Sequence, residues 1–385
     1  MKKVFCIFLS LIALMSLSAC EPETPGNPQK PDLEESSYLT FVSSGESSVS
    51  LVKVGEPSDI LLEYSIDGKS WNPYTIGEAI FLLKNEVSFR AGETGNEVFS
   101  KGKDDYYQFK ISGEIAARGN AMSLLDRTCR KNDIPSYAFY SLFCDCKGLT
   151  EAPELPATDL AEGCYAGMFG GCTSLTETPT LSATVLAEGC YSTMFAGCTS
   201  LTKAPALPAT VLADFCYQEM FLGCTSLTEA PVLPATVLAE GCYDGMFGRC
   251  TSLTEAPALP ATKLAKSCYE FMFIDCNSLT ESPALPATEL AVNCYSCMFN
   301  TCLKLRTVPE LPATNLVEGC YDHMFSYCMN LNYVKALFTD EPSESTTAEW
   351  LGGVSFTGTF VKSKDATWDV RGYSGIPESW TVVTE

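Results

Sequence analysis

Twenty cysteines are the residues of this chain most able to do chemistry, and their spacing decides which chemistry is open to them. One series falls at Cys164, Cys190, Cys216, Cys242, Cys268, Cys294 and Cys320, and a second at Cys146, Cys172, Cys198, Cys224, Cys250, Cys276, Cys302 and Cys328. In an exported protein so many cysteines ordinarily announce disulfides. Here members of the two series stand eight residues apart, which on a helix is about 12 Å and beyond disulfide reach. Members of one series could approach between neighbouring repeats, but with side chains pointing inward in parallel, seven of them cannot all pair. The expectation is two ladders of small, buried, hydrophobic thiols. Zinc needs several close ligands, yet Cys294 with Cys297, and Cys144 with Cys146, each stand alone without a second pair or a nearby histidine, so no metal is expected. No thioredoxin-type context surrounds Cys294 and Cys297 for thiol redox work.

Catalytic constellations are likewise missing. His323 is the single histidine, at a variable position where a solvent-facing residue is expected. The glutamates recur with the repeat, so a paired-carboxylate argument would apply to every unit equally. No glycine-rich phosphate loop or nucleophile elbow occurs. The chain is expected not to be an enzyme and to need no cofactor.

Cys20 has a different chemistry. Lys2 and Lys3 precede an apolar run over residues 4–17, which ends in Leu17-Ser18-Ala19-Cys20. This is a lipoprotein signal peptide, residues 1–20, whose small residues allow cleavage before a cysteine that then carries acyl chains. Two or more chains anchor stably where one does not. Residues 21–37, EPETPGNPQKPDLEESS, combine four prolines and five acids with almost nothing apolar, and read as a disordered acidic tether. With 47 acids against 25 bases, nucleic acid is excluded as a partner, because phosphate binding needs clustered Lys and Arg.

The elements that would position these residues follow from a period of 26 residues, typified by residues 242–261, CYDGMFGRCTSLTEAPALPA. Counted from Cys242, the apolar residues Tyr243, Met246, Phe247 and Cys250 stand at offsets 1, 4, 5 and 8, which reads as one face of a short helix. Leu253, Ala256 and Leu259 then alternate with polar residues in a brief extended segment, where Pro257 and Pro260 cannot donate ladder hydrogen bonds. The expected fold is an α/β solenoid of the leucine-rich-repeat type, one short strand and one short helix per unit, over residues 113–335. At about 4.8 Å per stacked strand, eight units make a surface of about 40 Å. Residues 336–385 hold Trp350, Trp368 and Trp380 and read as a C-terminal cap. Upstream, residues 38–112 alternate in period two through YLTFV, VSLVKV, ILLEYSI, AIFLL, EVSFRA and YYQFKI, with a hairpin signal at Asp67-Gly68, and predict a small immunoglobulin-like β-sandwich acting as a spacer.

The unit C-Y-x-x-M-F-x-x-C-T-S-L-T, particularly its M-F-x-x-C-x-x-L core, resembles the BspA-like leucine-rich-repeat surface lipoproteins of Bacteroides-type bacteria over residues 137–335. The acids after Cys20 resemble the signal that carries such lipoproteins to the outer face of the outer membrane. The resemblance implies a lipid-anchored, surface-exposed protein of the adhesive class, binding host matrix or other cells.

Two sets of exposed positions are candidates for partner contact. The position after Leu-Thr reads Glu151, Glu177, Lys203, Glu229, Glu255, Glu281 and Thr307, a mostly acidic row suited to a basic partner or a bridging divalent cation, and equally explained as a solvated face inherited by duplication. The helix-side positions that vary between units, Phe215, Gln218, Glu219, Arg249, Phe271, Ile274 and Tyr327, could be contacts or drift. An extracellular protein ligand is the first expectation. Glycan capture for nutrient uptake, or a structural surface coat, are the alternatives.

Overall fold

The period-two segments near the N-terminus form strands because alternate residues can enter one core while their neighbours face water. A computed structural model describes residues 38–385; the leader, Cys20 and the tether lie outside the described residues. Strands β1 (Leu39–Ser43), β2 (Glu46–Val54), β3 (Leu62–Ser65), β4 (Asn72–Pro73), β5 (Ile80–Leu83), β6 (Glu86–Ala91), β7 (Tyr106–Ser112) and β8 (Ile115–Arg118) make two sheets. One runs β5-β2-β7 and is antiparallel throughout. The other runs β8-β1-β6-β3-β4 and is extended at its β8 edge by the parallel strand β10 (Leu149–Glu151), which belongs to the repeats. Phe41, Val49, Leu51, Phe89 and Phe109 close the core between them. The sheet thus runs without interruption into the repeat array.

That array corrects the expected fold. It is a β-solenoid of about ten turns, with about 2% of residues helical, and the strand-plus-helix coil is not present. The segment read as a helix is a ribbon of overlapping four-residue turns. Between Gly189 and Cys198, every second N–H closes a turn within its own coil: Ser192 to Gly189 (3.0 Å), Met194 to Tyr191 (3.2 Å), Ala196 to Thr193 (3.0 Å) and Cys198 to Phe195 (3.0 Å). The alternate N–H groups donate to the next coil: Tyr191 to Cys216 (3.0 Å), Thr193 to Gln218 (2.7 Å), Phe195 to Met220 (2.9 Å) and Gly197 to Leu222 (2.7 Å). Every fourth residue is left-handed, as at Gly189 (φ 56°), Thr193 (53°) and Gly197 (73°). The apolar period is therefore 4.0, not 3.6. A helix would bury offsets 0, 3, 4, 7 and 8, whereas here offsets 3 and 7 are the left-handed, outward positions.

Each coil otherwise meets its neighbour only through short parallel bridges, as between Lys203 and Glu229, Glu229 and Glu255, and Val211 and Val237. Prolines between the two bridge zones leave no N–H for a longer ladder. Strand β11 (Asp159–Leu160) on β9 (Asp133–Ile134) is the first pairing of the second zone. The interior is filled by columns of identical side chains. Phe109 of β7 stacks on Phe143 at 5.2 Å, and the column continues through Phe169, Phe195, Phe221, Phe247, Phe273, Phe299 and Phe325 at 5.4–5.8 Å. A parallel column of tyrosines runs from Tyr165 to Tyr321 at 5.8–6.0 Å. Each ring is buried, so each coil covers the apolar edge of the next.

Residues 336–385 carry the same course onward. Strand β12 (Tyr333–Ala336) pairs in parallel with β13 (Thr359–Lys362), and that with β14 (Thr381–Thr384). Tyr321, His323, Phe325 and Tyr327 donate to carbonyls of residues 346–352 as earlier coils do to theirs. This stretch buries three tryptophans, and each finds an acceptor for its indole N–H: Trp350 on Gly375 (2.9 Å), Trp368 on Phe338 (3.3 Å) and Trp380 on Ser355 (2.8 Å). Among the described residues no helix is long and apolar enough to cross a membrane.

The two readings of the ribbon differ in sign at one residue. In a helix interior, Gly197→Ala would stabilise by about 1 kcal/mol. In the turn ribbon Gly197 is left-handed, an added Cβ meets nothing closer than 3.7 Å, and the backbone strain alone should cost about 1 kcal/mol. Denaturant unfolding of this variant is expected to show a loss; a gain would restore the helix.

Candidate functional site

The described residues offer two outer walls, and each follows from which offsets the ribbon leaves outside. On the strand side, Glu177, Lys203, Glu229, Glu255 and Glu281 are all exposed, beside a second exposed row of Thr176, Thr202, Thr228, Thr254 and Thr280. Glu151, at the near end, is instead taken up by Arg118 at 2.9 Å. The parallel bridges fix the register, so successive side chains of the row sit one coil apart. Glu229 and Glu255 flank a groove of about 440 Å³ floored by Ala256 and Pro257. A neighbouring groove of about 400 Å³ brings Glu281 to the basic residues Lys304 and Arg306. Two like charges about 5 Å apart repel by about 1 kcal/mol in water and more near a low-dielectric wall. No lysine or arginine pairs with Glu177, Glu229, Glu255 or Glu281 among the described residues. Nor does any group of three or more metal-ligating side chains gather among them.

Beyond the acids the same wall turns apolar. Val232 is 80% exposed and shares a groove of about 300 Å³ with Pro205, Pro208 and Pro234. Val185, Val211 and Val237 form a further exposed column, replaced in the next two coils by the ion pair Lys263–Glu289 (3.0 Å). Sequence reasoning passed over this apolar column, although each of its three valines directly precedes the leucine of TxLA.

No family model, curated protein or solved structure matches the chain.

On the turn side, the variable residues Phe215, Glu219, Arg249, Phe271 and Tyr327 occupy the left-handed positions, with φ between 50° and 60°. Gln218 and Ile274 lie beside them on the same face. Gln218 donates to Asp244 at 2.9 Å, and Arg249 pairs with Asp275 at 3.6 Å. Burial, with Glu270 and Glu219 nearby, pushes the Asp244 carboxyl up to about 6 against the opposing hydrogen bond from Gln218. His323 stands on this face too, 3.6 Å from Glu349.

No disulfide joins the cysteines of the two ladders. The second series has a hydrogen-bonding role: each thiol donates to the carbonyl of a phenylalanine one coil back, as Cys198 to Phe169, Cys224 to Phe195 and Cys250 to Phe221, at 3.1–3.2 Å. That carbonyl already accepts a turn N–H, so the thiol fills its second lone pair. Burial pushes Cys190, Cys224, Cys242, Cys276 and Cys328 to about 12, and Cys198, Cys216 and Cys250 well above the usual thiol range. Such thiols are neither nucleophiles nor metal ligands at neutral pH. Cys297 is half-buried, and its thiol too is raised by burial.

The raised thiols set a pH limit. An unfolded thiol ionises near about 8.5, whereas the folded ladder holds its protons to about 12, so the stability is intact below the first value and is lost as pH rises from there towards the second. Each thiol contributes about 1 kcal/mol of loss per pH unit, and fifteen together exceed an ordinary stability of roughly 5–15 kcal/mol within one or two units. Circular dichroism in reducing buffer is expected to show cooperative unfolding between about pH 9 and 10.5. Thiol counting on denatured, unreduced protein should find the ladder cysteines free, and full oxidation would refute the ladder.

Proposed function

We propose that the chain is a non-catalytic surface lipoprotein, held to the outer membrane through Cys20, whose solenoid wall captures an extracellular protein, as adhesion to host matrix or to other cells requires. The observation that carries this reading is the exposed, mostly acidic row of Glu177, Lys203, Glu229, Glu255 and Glu281, whose glutamates form no ion pair among the described residues. Carboxylates held at a fixed spacing on a rigid wall repel one another, and a partner that presents lysines or arginines relieves that repulsion while it binds. The apolar column of Val185, Val211 and Val237 beside the row supplies surface whose burial adds affinity. The resemblance of the M-F-x-x-C-x-x-L core to the BspA-like surface proteins points to the same class of partner. The net charge of −22 adds a long-range attraction for basic surfaces and a repulsion between copies.

The reading is tested by immobilising the protein against a panel of purified matrix proteins. Binding to a basic member should weaken at least tenfold in a Glu229→Gln, Glu255→Gln, Glu281→Gln variant, and should fall steeply between 50 and 200 mM salt, as screening over about a Debye length dictates. Capture that ignores both changes would remove the row from the function. Replacing Cys20 with alanine should release the protein from the membrane fraction, and protease shaving of intact cells should remove the wild type.

A further inference from the structure

The turn side of the first coils carries a recess that occurs once in the array. The left-handed position that opens each ribbon reads Tyr137, Gly163, Gly189, Phe215 and Gly241 in successive coils, two rings bracketing two glycines. The rings lie on glycine. A Cβ at Gly163 would come within 2.6 Å of Tyr137 ring carbons, and one at Gly241 within 2.4 Å of Phe215. At Gly189, by contrast, a Cβ would meet nothing within 4 Å, so the floor between the rings is open. The resulting cavity has a volume of about 430 Å³, within the range of small-ligand sites.

Its polar groups are mixed in kind. Glu162 and Glu188 stand on the rim, both exposed. The Tyr137 hydroxyl donates to Glu162, which fixes that wall, and this hydrogen bond raises the phenol to about 12. The Glu188 carboxylate takes no ion pair or side-chain hydrogen bond among the described residues, and is left to accept from a ligand. Lys103, from the segment before β7, supplies an ammonium donor to the same cavity. Gln218 spends its amide N–H on Asp244, which leaves its oxygen as an acceptor. Tyr140 packs edge-on to Tyr137 at 6.2 Å and to Tyr106 at 5.1 Å, which braces the aromatic wall.

The chemistry narrows the ligand. Two carboxylates exclude an anion, an exposed polar rim disfavours a purely apolar ligand, and the lysine is wrong for a cation cage, which presents acceptors and ring faces only. What remains is a neutral ligand with C–H faces to lay against aromatic rings and hydroxyls to both donate and accept. We propose that this recess is a binding site for a neutral mono- or disaccharide, seated over Gly189 between Tyr137 and Phe215 and held by Glu188, Gln218 and Lys103. It lies at different offsets of the coil from the acidic row, and does not depend on protein capture by that row.

The test titrates the full chain with maltose, cellobiose, lactose and mannobiose by calorimetry, with tetramethylammonium chloride as the cation control. At least one disaccharide is expected to saturate a single site. Phe215→Gly removes one ring and places there the residue that four other coils already carry, so the backbone is relieved and folding is kept; it should weaken binding at least tenfold. Glu188→Gln should weaken it similarly. Gly189→Asn fills the floor with a residue that Asn293 shows to be accepted at the equivalent position, and should abolish binding. Phe271→Gly, on a distant coil, should change nothing. Saturation by none of the four sugars, tighter binding of tetramethylammonium, or affinity unmoved by all three recess variants would overturn the assignment.

Discussion

The solenoid depends on how the ribbon divides its backbone hydrogen bonds. At one residue the N–H closes a turn within the coil and the carbonyl accepts from the preceding coil; at the next the N–H reaches forward and the carbonyl accepts within the coil. Every peptide group of the ribbon is therefore satisfied although the segment is neither helix nor strand, which is what burial of an irregular backbone requires. The left-handed residue at every fourth position makes this division possible, because it turns the chain so that alternate N–H groups point along the solenoid axis. A regular helix would have kept all its hydrogen bonds within the coil and left neighbours to pack by side chains alone.

From this division the ladders follow. Once coils are tied together at a fixed separation, a residue at a given offset meets its own kind above and below, and only side chains that stack on themselves are comfortable there. Flat rings stack nearly parallel, within 14° along the phenylalanine column. Cysteine suits the eighth offset for a further reason. It is small enough for the corner beside the ring column, and it carries one weak donor for the one remaining lone pair of the phenylalanine carbonyl. The column beginning at Phe109 also explains why the first sheet and the repeats share one core: a strand residue of the sandwich is the first rung.

The repeat length and the buried residues were legible in the chain, because a 26-residue period with recurring Cys, Tyr, Met, Phe and Leu leaves little freedom about what faces inward. The path of the backbone was misread. Offsets 0, 1, 4, 5 and 8 suit both a short helix and a four-residue repeat, and the apolar residues alone cannot separate them. The glycines could have done so. Gly163, Gly167 and Gly171 stand four apart in one coil, Gly189 and Gly197 eight apart in the next, and Gly241 and Gly245 four apart in another, which is costly in a helix and natural in a ribbon that turns left-handed at every fourth residue. Of the recess, Phe215 and Gln218 stood out as variable positions, but Tyr137, Glu162, Glu188 and Gly189 did not. They are gathered across coils rather than along the chain, and a residue that matters by being absent, as the side chain of Gly189 does, leaves no mark in a list of candidate contacts.

An array built by repetition presents the same surface at every coil unless something breaks the pattern, and the ladders forbid most breaks. Ring columns and thiol corners cannot change one member without leaving a void or a clash in both neighbours. The left-handed positions are the exception: they face outward, accept glycine at no backbone cost, and tolerate a ring or a long side chain at a cost of about 1–2 kcal/mol each. Tyr137, Phe215, Glu219, Arg249, Phe271 and Tyr327 all bear that cost. Drift alone would favour glycine or asparagine at such sites, since every bulkier residue lowers stability for no structural return. Where two rings bracket an open glycine at the same offset, the strain is placed where it shapes a cavity, and the uniform wall acquires one position unlike the others.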